Sequence, residues 1–393
     1  MFPTFLASCV VINSADDPDG PEAVVMRNNQ FSISYFKTTF EDSNNLICSP
    51  VAARLGLAIF YHVSGPAVDE DLRTMLGLPV EKSACLTHQK DQQAQLVQTG
   101  YTQIYNMLCH NEDRPLEQEF FEVLDEHLDV IVEPVDFTDD VMTARTANVW
   151  IQSKSCGIDE LVQEGDVWSG SQQFLMLFSA VTIPRIRFKV GFDPDRTIPV
   201  DFNFSNMVRS VPVMRGSFRV RCCIDEVLEC IVVEIPFEDN SGLELLVVQP
   251  SIDQRLKDMV QQFTMECLNR IDGSLVERWV DIQLPKFSVA WKTNLKPILS
   301  KLTYDGIFEL KDLRAFVSGG KEKLDQFYQH CYLKIDENGV EPPVQMLTAE
   351  AGENLLRFSA TRPFMYIVRK RSDREIVFIG NYSRYVPDPD ELF

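Results

Sequence analysis

The spacing of apolar residues changes about halfway along the chain. In the first half the apolar residues recur at helical intervals, as they do between Asn28 and Phe40. Nearly every residue from Val51 to Tyr61 is apolar, which predicts a helix that is buried all round. Shorter helices are predicted within Asp69–Leu76, Leu116–Leu128 and Asp140–Gly157, and the polar stretch 91–108 is also compatible with a helix.

After Phe174 the apolar residues form runs of strand length. Strands are predicted at Phe174–Val181, Phe218–Cys222, Cys230–Phe237, Leu243–Pro250, Val280–Phe287, Met365–Val368 and Ile376–Ile379. The last two are joined by a charged turn, and we expect its basic cluster, Arg369–Arg371, to be solvated at the tip of a hairpin. Helices before strands predict the α+β class. With no internal repeat and no linker after residue 25, residues 26–393 are predicted to form one domain.

The composition narrows the range of partners. The chain has 393 residues, of which 45% are hydrophobic, and its net charge is −21. A surface this acidic repels phosphate groups. We therefore expect neither nucleic acid nor an anionic membrane as a partner. The ten cysteines show no zinc-binding spacing and are predicted to be mostly free, partly buried thiols.

The first residues are compatible with an export signal. About a dozen apolar residues precede an acidic segment, so residues 1–25 are predicted to be a signal peptide ending near Ala15 plus an acidic leader, although the usual basic start is absent. Asn203 and Asn381 each begin a glycosylation sequon. We therefore expect a secreted, monomeric glycoprotein, while the scattered cysteines argue mildly against secretion.

The sequence gives no sign of catalytic chemistry. It has no phosphate-binding glycine loop, no nucleophile elbow and no His-Glu-x-x-His motif. The five histidines stand apart from any supporting motif and are predicted to be surface or satisfied core residues. We therefore predict a protein that is not an enzyme and uses no cofactor or metal.

Several segments, in the right order between residues 28 and 385, resemble the serpin family of serine protease inhibitors. They are Ser49–Val51, Asn148–Trp150 with Gly157, Phe192–Pro194, Val211–Met214, Glu234–Phe237, Leu284–Phe287, Asp336–Gly339, Arg362–Phe364 and Phe378–Gly380. The resemblance implies three β-sheets, eight or nine helices and an exposed reactive loop near the C-terminus. In an inhibitory serpin a protease attacks this loop, the cleaved loop inserts as a new central strand, and the acylated protease is distorted before it deacylates.

The hinge of this loop departs from the family pattern. The family carries Thr or Ser and then several alanines after the glycine. Glu337 and Gly339 are retained here, but they are followed by Val340, Glu341, Pro342, Pro343 and Val344. Proline lacks an N–H and fixes φ, so central strands exclude it. The family's count from the glycine places the scissile bond at Glu353–Asn354.

Other positions that help to gate sheet opening in the family are also altered. Ala52 replaces a second serine, Ser179 replaces an asparagine, Phe188 stands near the usual tryptophan, and Gln329 replaces a histidine. Together these changes predict a serpin-fold protein whose protease inhibition is lost or weakened. Such a protein would act by binding a protease without trapping it, another protein or a small apolar ligand. The alternative is a working inhibitor that traps serine proteases covalently.

One expectation concerns heparin. Family members that bind heparin use a basic helix, and the corresponding stretch here, about 91–108, has no Lys or Arg. We therefore predict no heparin binding.

Overall fold

The computed structural model describes residues 21–78, 81–97, 102–154, 162–163, 175–183, 186–205, 207–302, 304–317, 319, 322–341 and 355–385. Its helices are α1 (Pro21–Thr39), α2 (Pro50–Ala58), α3 (Pro66–Leu76), α4 (Lys82–Val97), α5 (Gln118–Glu122), α6 (Asp140–Lys154), α7 (Leu256–Gln262), α8 (Met265–Ser274), α9 (Leu295–Lys301) and α10 (Gly306–Glu309).

The strands lie mostly in the second half, as the apolar runs predict. They are β1 (Leu46–Cys48), β2 (Gln103–Asn111), β3 (Val130–Val135), β4 (Leu175–Ile183), β5 (Phe188–Val190), β6 (Ile198–Asn203), β7 (Val208–Asp225), β8 (Cys230–Pro236), β9 (Leu243–Pro250), β10 (Val276–Pro285), β11 (Phe287–Asn294), β12 (Gln326–Ile335), β13 (Gly339–Glu341), β14 (Leu356–Ser359), β15 (Phe364–Lys370) and β16 (Ile376–Tyr382).

The buried helix predicted after Ser49 is α2. Proline at its first position suits a helix start, because the missing N–H would have no partner within the helix. All nine of its residues are buried, as the continuous apolar run predicts. Helix α3 ends at Leu76 and is capped by Gly77, whose φ of 64° is the left-handed conformation that closes many helices.

The prediction for residues 91–108 is wrong in its second half. Helix α4 begins earlier, at Lys82, and ends at Val97, whereas residues 103–108 belong to strand β2. The polar residues of β2 hide its strand character in the sequence. Pairing with β4 along one edge and β3 along the other decides its conformation, and most of its side chains are buried.

The strands form two large sheets and one small pair. The nine-stranded sheet has the order β1-β16-β15-β9-β8-β7-β10-β14, with β6 paired to β7. The five-stranded sheet has the order β11-β12-β4-β2-β3, and β13 pairs with β5. One apolar cluster fills the space between the two large sheets, and another lies between α6 and the five-stranded sheet.

The basic cluster in the hairpin between β15 and β16 is not solvated as predicted. Arg369 has no exposed surface, and its three guanidinium nitrogens reach Glu244 at 2.6 Å, Asp272 at 2.7 Å and Glu234 at 2.8 Å. These carboxylates come from strands β9 and β8 and from helix α8, far away in sequence. Neighbouring residues therefore could not reveal that this arginine is buried.

Candidate functional site

The contact between β4 and β12 lies in the middle of the five-stranded sheet. The two strands pair in parallel along eight residues, from Gln326 opposite Met176 to Leu333 opposite Ile183. We call this contact the seam. Within the described residues no strand lies between β4 and β12, so the seam is closed.

Helix α6 covers one face of the seam. The Phe178 and Tyr328 rings, one from each strand, stack across the seam with centroids 5.9 Å apart and planes inclined by 11°. Trp150 and Ile151 of α6 belong to the same apolar cluster. Asn148 holds the chain beyond the helix, because its side chain accepts from the Val162 amide at 2.9 Å and donates to the Val162 carbonyl at 2.7 Å.

The opposite face of the seam carries Gln329, which is buried. Its Oε1 accepts hydrogen bonds from the Tyr35 hydroxyl and from the Ser49 amide, both at 3.1 Å. Its Nε2 donates to the Ser49 carbonyl at 2.9 Å. Gln329 therefore fastens β12 to α1 and to the residue that precedes α2.

Beside Gln329 the seam buries polar atoms that have no partner. Ser179 of β4 stands between Gln329 of β12 and Asn106 of β2 in the strand register. Ser179 Oγ and Asn106 Oδ1 are buried, and no described residue forms a hydrogen bond with either atom. The side chain of Gln329 thus forms its hydrogen bonds with Tyr35 and Ser49 and not with β4. Among the described residues, no side-chain hydrogen bond from Ser179 joins the two strands of the seam.

His330, the neighbour of Gln329, points to the opposite face of β12 and is also buried. Its Nδ1 has no hydrogen-bond partner in the part of the chain that the structure describes, so it differs from the satisfied core histidine that the sequence predicts. Burial, with a smaller contribution from the Lys292 cation, lowers the pKa of His330 to about 4. The imidazole is therefore neutral at physiological pH.

At the end of β12, Glu337 anchors the start of the predicted hinge. Its carboxylate accepts from the Thr197 hydroxyl at 2.9 Å and forms an ion pair with Lys286 Nζ at 3.2 Å. Burial opposes its ionisation, but hydrogen bonds from its own backbone amide, from Thr197 and from Lys286 hold the pKa of Glu337 below its usual value. Lys286 lies in the segment Leu284–Phe287 of the sequence resemblance, which gives it no role, and no sequence pattern points to Thr197. Both contacts join Glu337 to residues that are distant in the chain.

The chain after Glu337 pairs with β5. The Phe188 amide donates to the Asn338 carbonyl at 2.9 Å, and the Phe192 amide donates to the Glu337 carbonyl at 3.0 Å. Gly339 stands opposite Phe188, and Glu341 stands opposite Val190, in the parallel pair of β5 and β13. The predicted hinge residues Pro342, Pro343 and Val344, and the scissile pair Glu353–Asn354, lie outside the described residues.

Comparison with known proteins accounts for this arrangement. A family model described as serpin (serine protease inhibitor) matches residues 26–385. The chain belongs to the serpin family.

Individual serpins agree with this assignment. Serpin A3-6 of Bos taurus is 26% identical over 376 residues, which cover 91% of this chain and 87% of the relative. The structure of SRPN18 from Anopheles gambiae is 35% identical, covers 94% of this chain and 100% of its own, and superposes with a TM-score of 0.87. The structure of human thyroxine-binding globulin is 19% identical, covers 93% of this chain and 99% of its own, and has a TM-score of 0.77.

The α+β serpin fold predicted from the sequence is therefore confirmed. The described residues form the three expected sheets and ten α-helices, some of them a single turn long, against the eight or nine expected. Within the described part of this serpin, no helix has both the length and the apolar content that crossing a membrane would need.

The two glycosylation candidates differ in accessibility. Asn203 is exposed at the end of β6. Asn381 is fully buried, and its Nδ2 donates to the Asn44 carbonyl at 2.7 Å and to Ser383 Oγ at 2.8 Å. A glycan on this nitrogen would have to break the pairing of β16, so the structure argues against the Asn381 candidate.

The thiols of this serpin are more deeply buried than the sequence predicts. Among the described residues eight cysteines are free, and all eight are buried. Cys48 and Cys331 lie near Tyr35 in the region of Gln329, and burial raises the pKa of both thiols. Thiols that stay protonated are poor nucleophiles, so they serve as small apolar side chains in the core.

Proposed function

We propose that this serpin acts by binding a partner and that its ability to trap a protease by loop insertion is lost or weakened. One observation carries the proposal: Pro342 and Pro343 directly follow β13, at the start of the segment that would have to become a central strand. Two consecutive prolines remove amide donors toward both neighbouring strands. Each lost hydrogen bond would cost about 1–3 kcal/mol if its acceptor stayed dry.

For inhibition, the rate of loop insertion matters more than its equilibrium. Inhibition requires insertion to finish before the acylated protease deacylates. A barrier raised by about 3 kcal/mol slows insertion more than a hundredfold. Such a delay would turn an inhibitor into a substrate, even if the inserted state remained the more stable one.

The closed seam adds to this barrier. Insertion would have to separate the eight-residue pairing of β4 with β12 and the stacked rings of Phe178 and Tyr328. Gln329 holds β12 to α1 and to Ser49 on the other face. These contacts support a native state in which the seam stays closed.

The partner on this proposal is a protease held without trapping, another protein or a small apolar ligand. Thyroxine-binding globulin, by its name, shows that a protein of this fold can act as a binding protein. The net charge of −21 favours a partner with basic groups, and we propose neither nucleic acid nor a membrane as a partner.

We also propose that this serpin does not bind heparin, but the helix on which this proposal rests has other bounds than the sequence predicts. Helix α4 spans Lys82–Val97 and so carries Lys82 and Lys90, which the stretch 91–108 leaves out. Lys82 is engaged, because its Nζ lies 3.1 Å from Asp69 and donates to the Ser64 carbonyl at 2.7 Å. Residues 91–97 of this helix contain no Lys or Arg.

The remaining expectations complete the proposal. We propose a secreted monomer with no catalytic activity and no cofactor, glycosylated at Asn203. The leader would cover residues 1–25 and the serpin domain residues 26–393. Helix α1 begins at Pro21, so its first turn would lie in the leader.

The second candidate function is covalent inhibition of a serine protease, with Glu353–Asn354 as the scissile bond. The description of the family as serine protease inhibitors favours it. The retained Glu337 and Gly339 favour it as well, because the turn into the hinge keeps the family pattern.

Thermal unfolding before and after cleavage of the 340–358 segment tests the proposal. We expect an unchanged melting temperature after cleavage and no SDS-stable complex with serine proteases. A large rise in melting temperature, together with an SDS-stable complex, would establish the inhibitor instead. The double variant Pro342→Ala, Pro343→Ala, treated in parallel, is expected to move toward the inhibitory result. If it does not, the gating positions rather than the prolines limit insertion.

A further inference from the structure

The direction in which the chain leaves β12 bears on insertion. Strand β12 runs parallel to β4, and β13 runs parallel to β5, the next strand after β4. The chain therefore leaves the five-stranded sheet after β12 and pairs with β5 in a separate two-stranded sheet. A strand joined to β12 by a short turn and paired with it would have to be antiparallel to it. Insertion thus requires the segment that now forms β13 to leave β5 and reverse its course.

Two glycines set how closely β13 approaches β5. A Cβ on Gly339 would overlap the backbone nitrogen and the Cα of Gly191. A Cβ on Gly191 would stand 3.0 Å from both the Gly339 Cα and the Glu337 carbonyl oxygen. All of these neighbours are backbone atoms, which have no rotamer by which to move aside. At position 339 only glycine permits this contact, whereas a Cβ at position 191 would need the neighbouring backbone to shift by a small amount.

The β5 side of the contact is held by the core. Phe188 is buried and packs against Phe237 and Phe192, with ring centroids 5.3 Å and 5.5 Å away. Arg187 binds both carboxylate oxygens of Glu238, at 3.1 Å and 2.7 Å. Strand β5 is thus fixed to the large sheet, whereas β13 pairs only with β5 among the described residues. Of the two strands, β5 has these additional anchors, and β13 is the one that would have to leave the pair.

We propose that Gly191 and Gly339 form a latch that holds the start of the reactive loop on β5 and so opposes its reversal into the seam. The latch consists of the glycine contact, the β5–β13 pairing and the hydrogen bonds of Phe188 and Phe192. This proposal rests on the proposed function and deepens it. It assigns part of the resistance to loop insertion to residues that precede Pro342 and Pro343. Releasing the latch is a separate step that precedes any opening of the seam.

Hydrogen exchange of the uncleaved protein tests the latch, because paired amides exchange only when their pairing opens. The variants are Gly339→Ala, Gly191→Ala and, as a control, Gly273→Ala. Gly273 lies in α8, and a Cβ there would meet nothing within 4 Å. None of these three glycines has a φ in the left-handed region, so alanine tests the contact and not the backbone conformation.

We expect a graded result. In Gly339→Ala the amides of Phe188, Phe192 and residues 339–341 should exchange about tenfold faster or more, because overpacking against backbone is costly. Gly191→Ala should give a smaller increase of a few-fold, since its closest contacts are longer. Gly273→Ala should exchange as the wild type does at these amides.

Unchanged exchange in both latch variants, with native circular dichroism, would overturn the proposal. If Gly339→Ala does not fold, hydrogen exchange of the Gly191→Ala variant alone tests the latch. The assay uses neither protease nor cleaved loop. Failure of the latch is therefore distinguishable from failure of the proposed function, which would appear as a heat-stable cleaved form or an SDS-stable complex.

Discussion

Two regions of this serpin bury polar groups, and they differ in how those groups are satisfied. At Arg369 each guanidinium nitrogen binds a carboxylate, and the three acidic partners come from three different elements. At the seam, Gln329 is satisfied. Ser179 and Asn106, however, each bury an oxygen that has no partner among the described residues, and His330 buries a nitrogen of the same kind. In the first region every nitrogen of the buried guanidinium has a partner, whereas in the second several buried polar atoms lack one among the described residues.

This difference indicates which part of the molecule is fixed and which part is able to change. A buried ion that loses one partner is left uncompensated, so the Arg369 cluster strongly favours a single conformation. Unsatisfied buried groups lower the stability of the arrangement that holds them, and such exceptions concentrate at functional sites. A strand that inserted between β4 and β12 would have to part the seam, and here the contacts of the seam favour closure although several of its buried polar atoms lack partners among the described residues.

The largest effect is expected from breaking the complete region. Arg369→Ala would leave Glu234, Glu244 and Asp272 without their shared cation, and we expect a loss of about 3–5 kcal/mol in the free energy of unfolding. Urea denaturation measures it. The control is Arg219→Ala, whose ion pair with Glu277 is exposed on both sides and should contribute about 0–1 kcal/mol. Equal losses in the two variants would show that the buried cluster contributes no more to the free energy of unfolding than an exposed ion pair does.

A smaller effect is expected from the satisfied part of the seam. Gln329→Ala would remove the hydrogen bonds that Gln329 forms with the Tyr35 hydroxyl and with both backbone groups of Ser49, at a cost of about 2–3 kcal/mol. The matched control is Gln118→Ala, because Gln118 is exposed on α5 and its side chain donates to Glu122 on the same surface. A loss in the Gln329 variant no larger than in the control would mean that Gln329 does not fasten β12.

The pH dependence of stability probes His330 on the α6 face of the seam. Its pKa in the folded state, about 4, lies below the value of about 6.5 in an unfolded chain. As the pH falls through 6.5 the unfolded state binds the proton first, so stability is full above this pH and decreases toward pH 4. Between pH 7.5 and 5.5 the wild type should lose about 1 kcal/mol more than His330→Leu.

Equilibrium unfolding of both proteins at the two pH values measures this difference. The comparison between the proteins removes the contributions of the carboxylates, which are common to both. Parallel pH profiles would show that the imidazole takes up its proton without cost in the folded state.

The smallest effect is expected from the unsatisfied serine. Ser179→Ala removes a hydroxyl that has no partner, so its free energy of unfolding should stay within about 1 kcal/mol of the wild type or rise. Ser49→Ala is the matched comparison, since Ser49 Oγ donates to the Val377 carbonyl at 2.9 Å. We expect a clear loss only in the Ser49 variant. A large loss in Ser179→Ala would mean that its hydroxyl is bonded after all.

Local patterns in the sequence predicted much of the fold. The continuous apolar run after Ser49 predicted α2 because burial on all sides leaves no polar face. Runs of strand length predicted β4, β8 and β9, which are buried on both faces. Strand β2 escaped prediction because its pairing partners, and not its own residues, determine its conformation. The ordered series of short segments identified the serpin family, and the family model confirms it.

The sequence by itself determined the α+β class, the family and the prolines after Gly339, because these depend on residue types and their order along the chain. Only the tertiary structure decided that Arg369 is buried, that Gln329 bonds to Ser49 and Tyr35, that Asn381 is inaccessible and that Gly339 rests on Gly191. Each of these contacts joins residues that are more than a hundred positions apart in the chain or depends on burial by distant strands. Local propensity carries no information about such contacts, which form only when the sheets assemble.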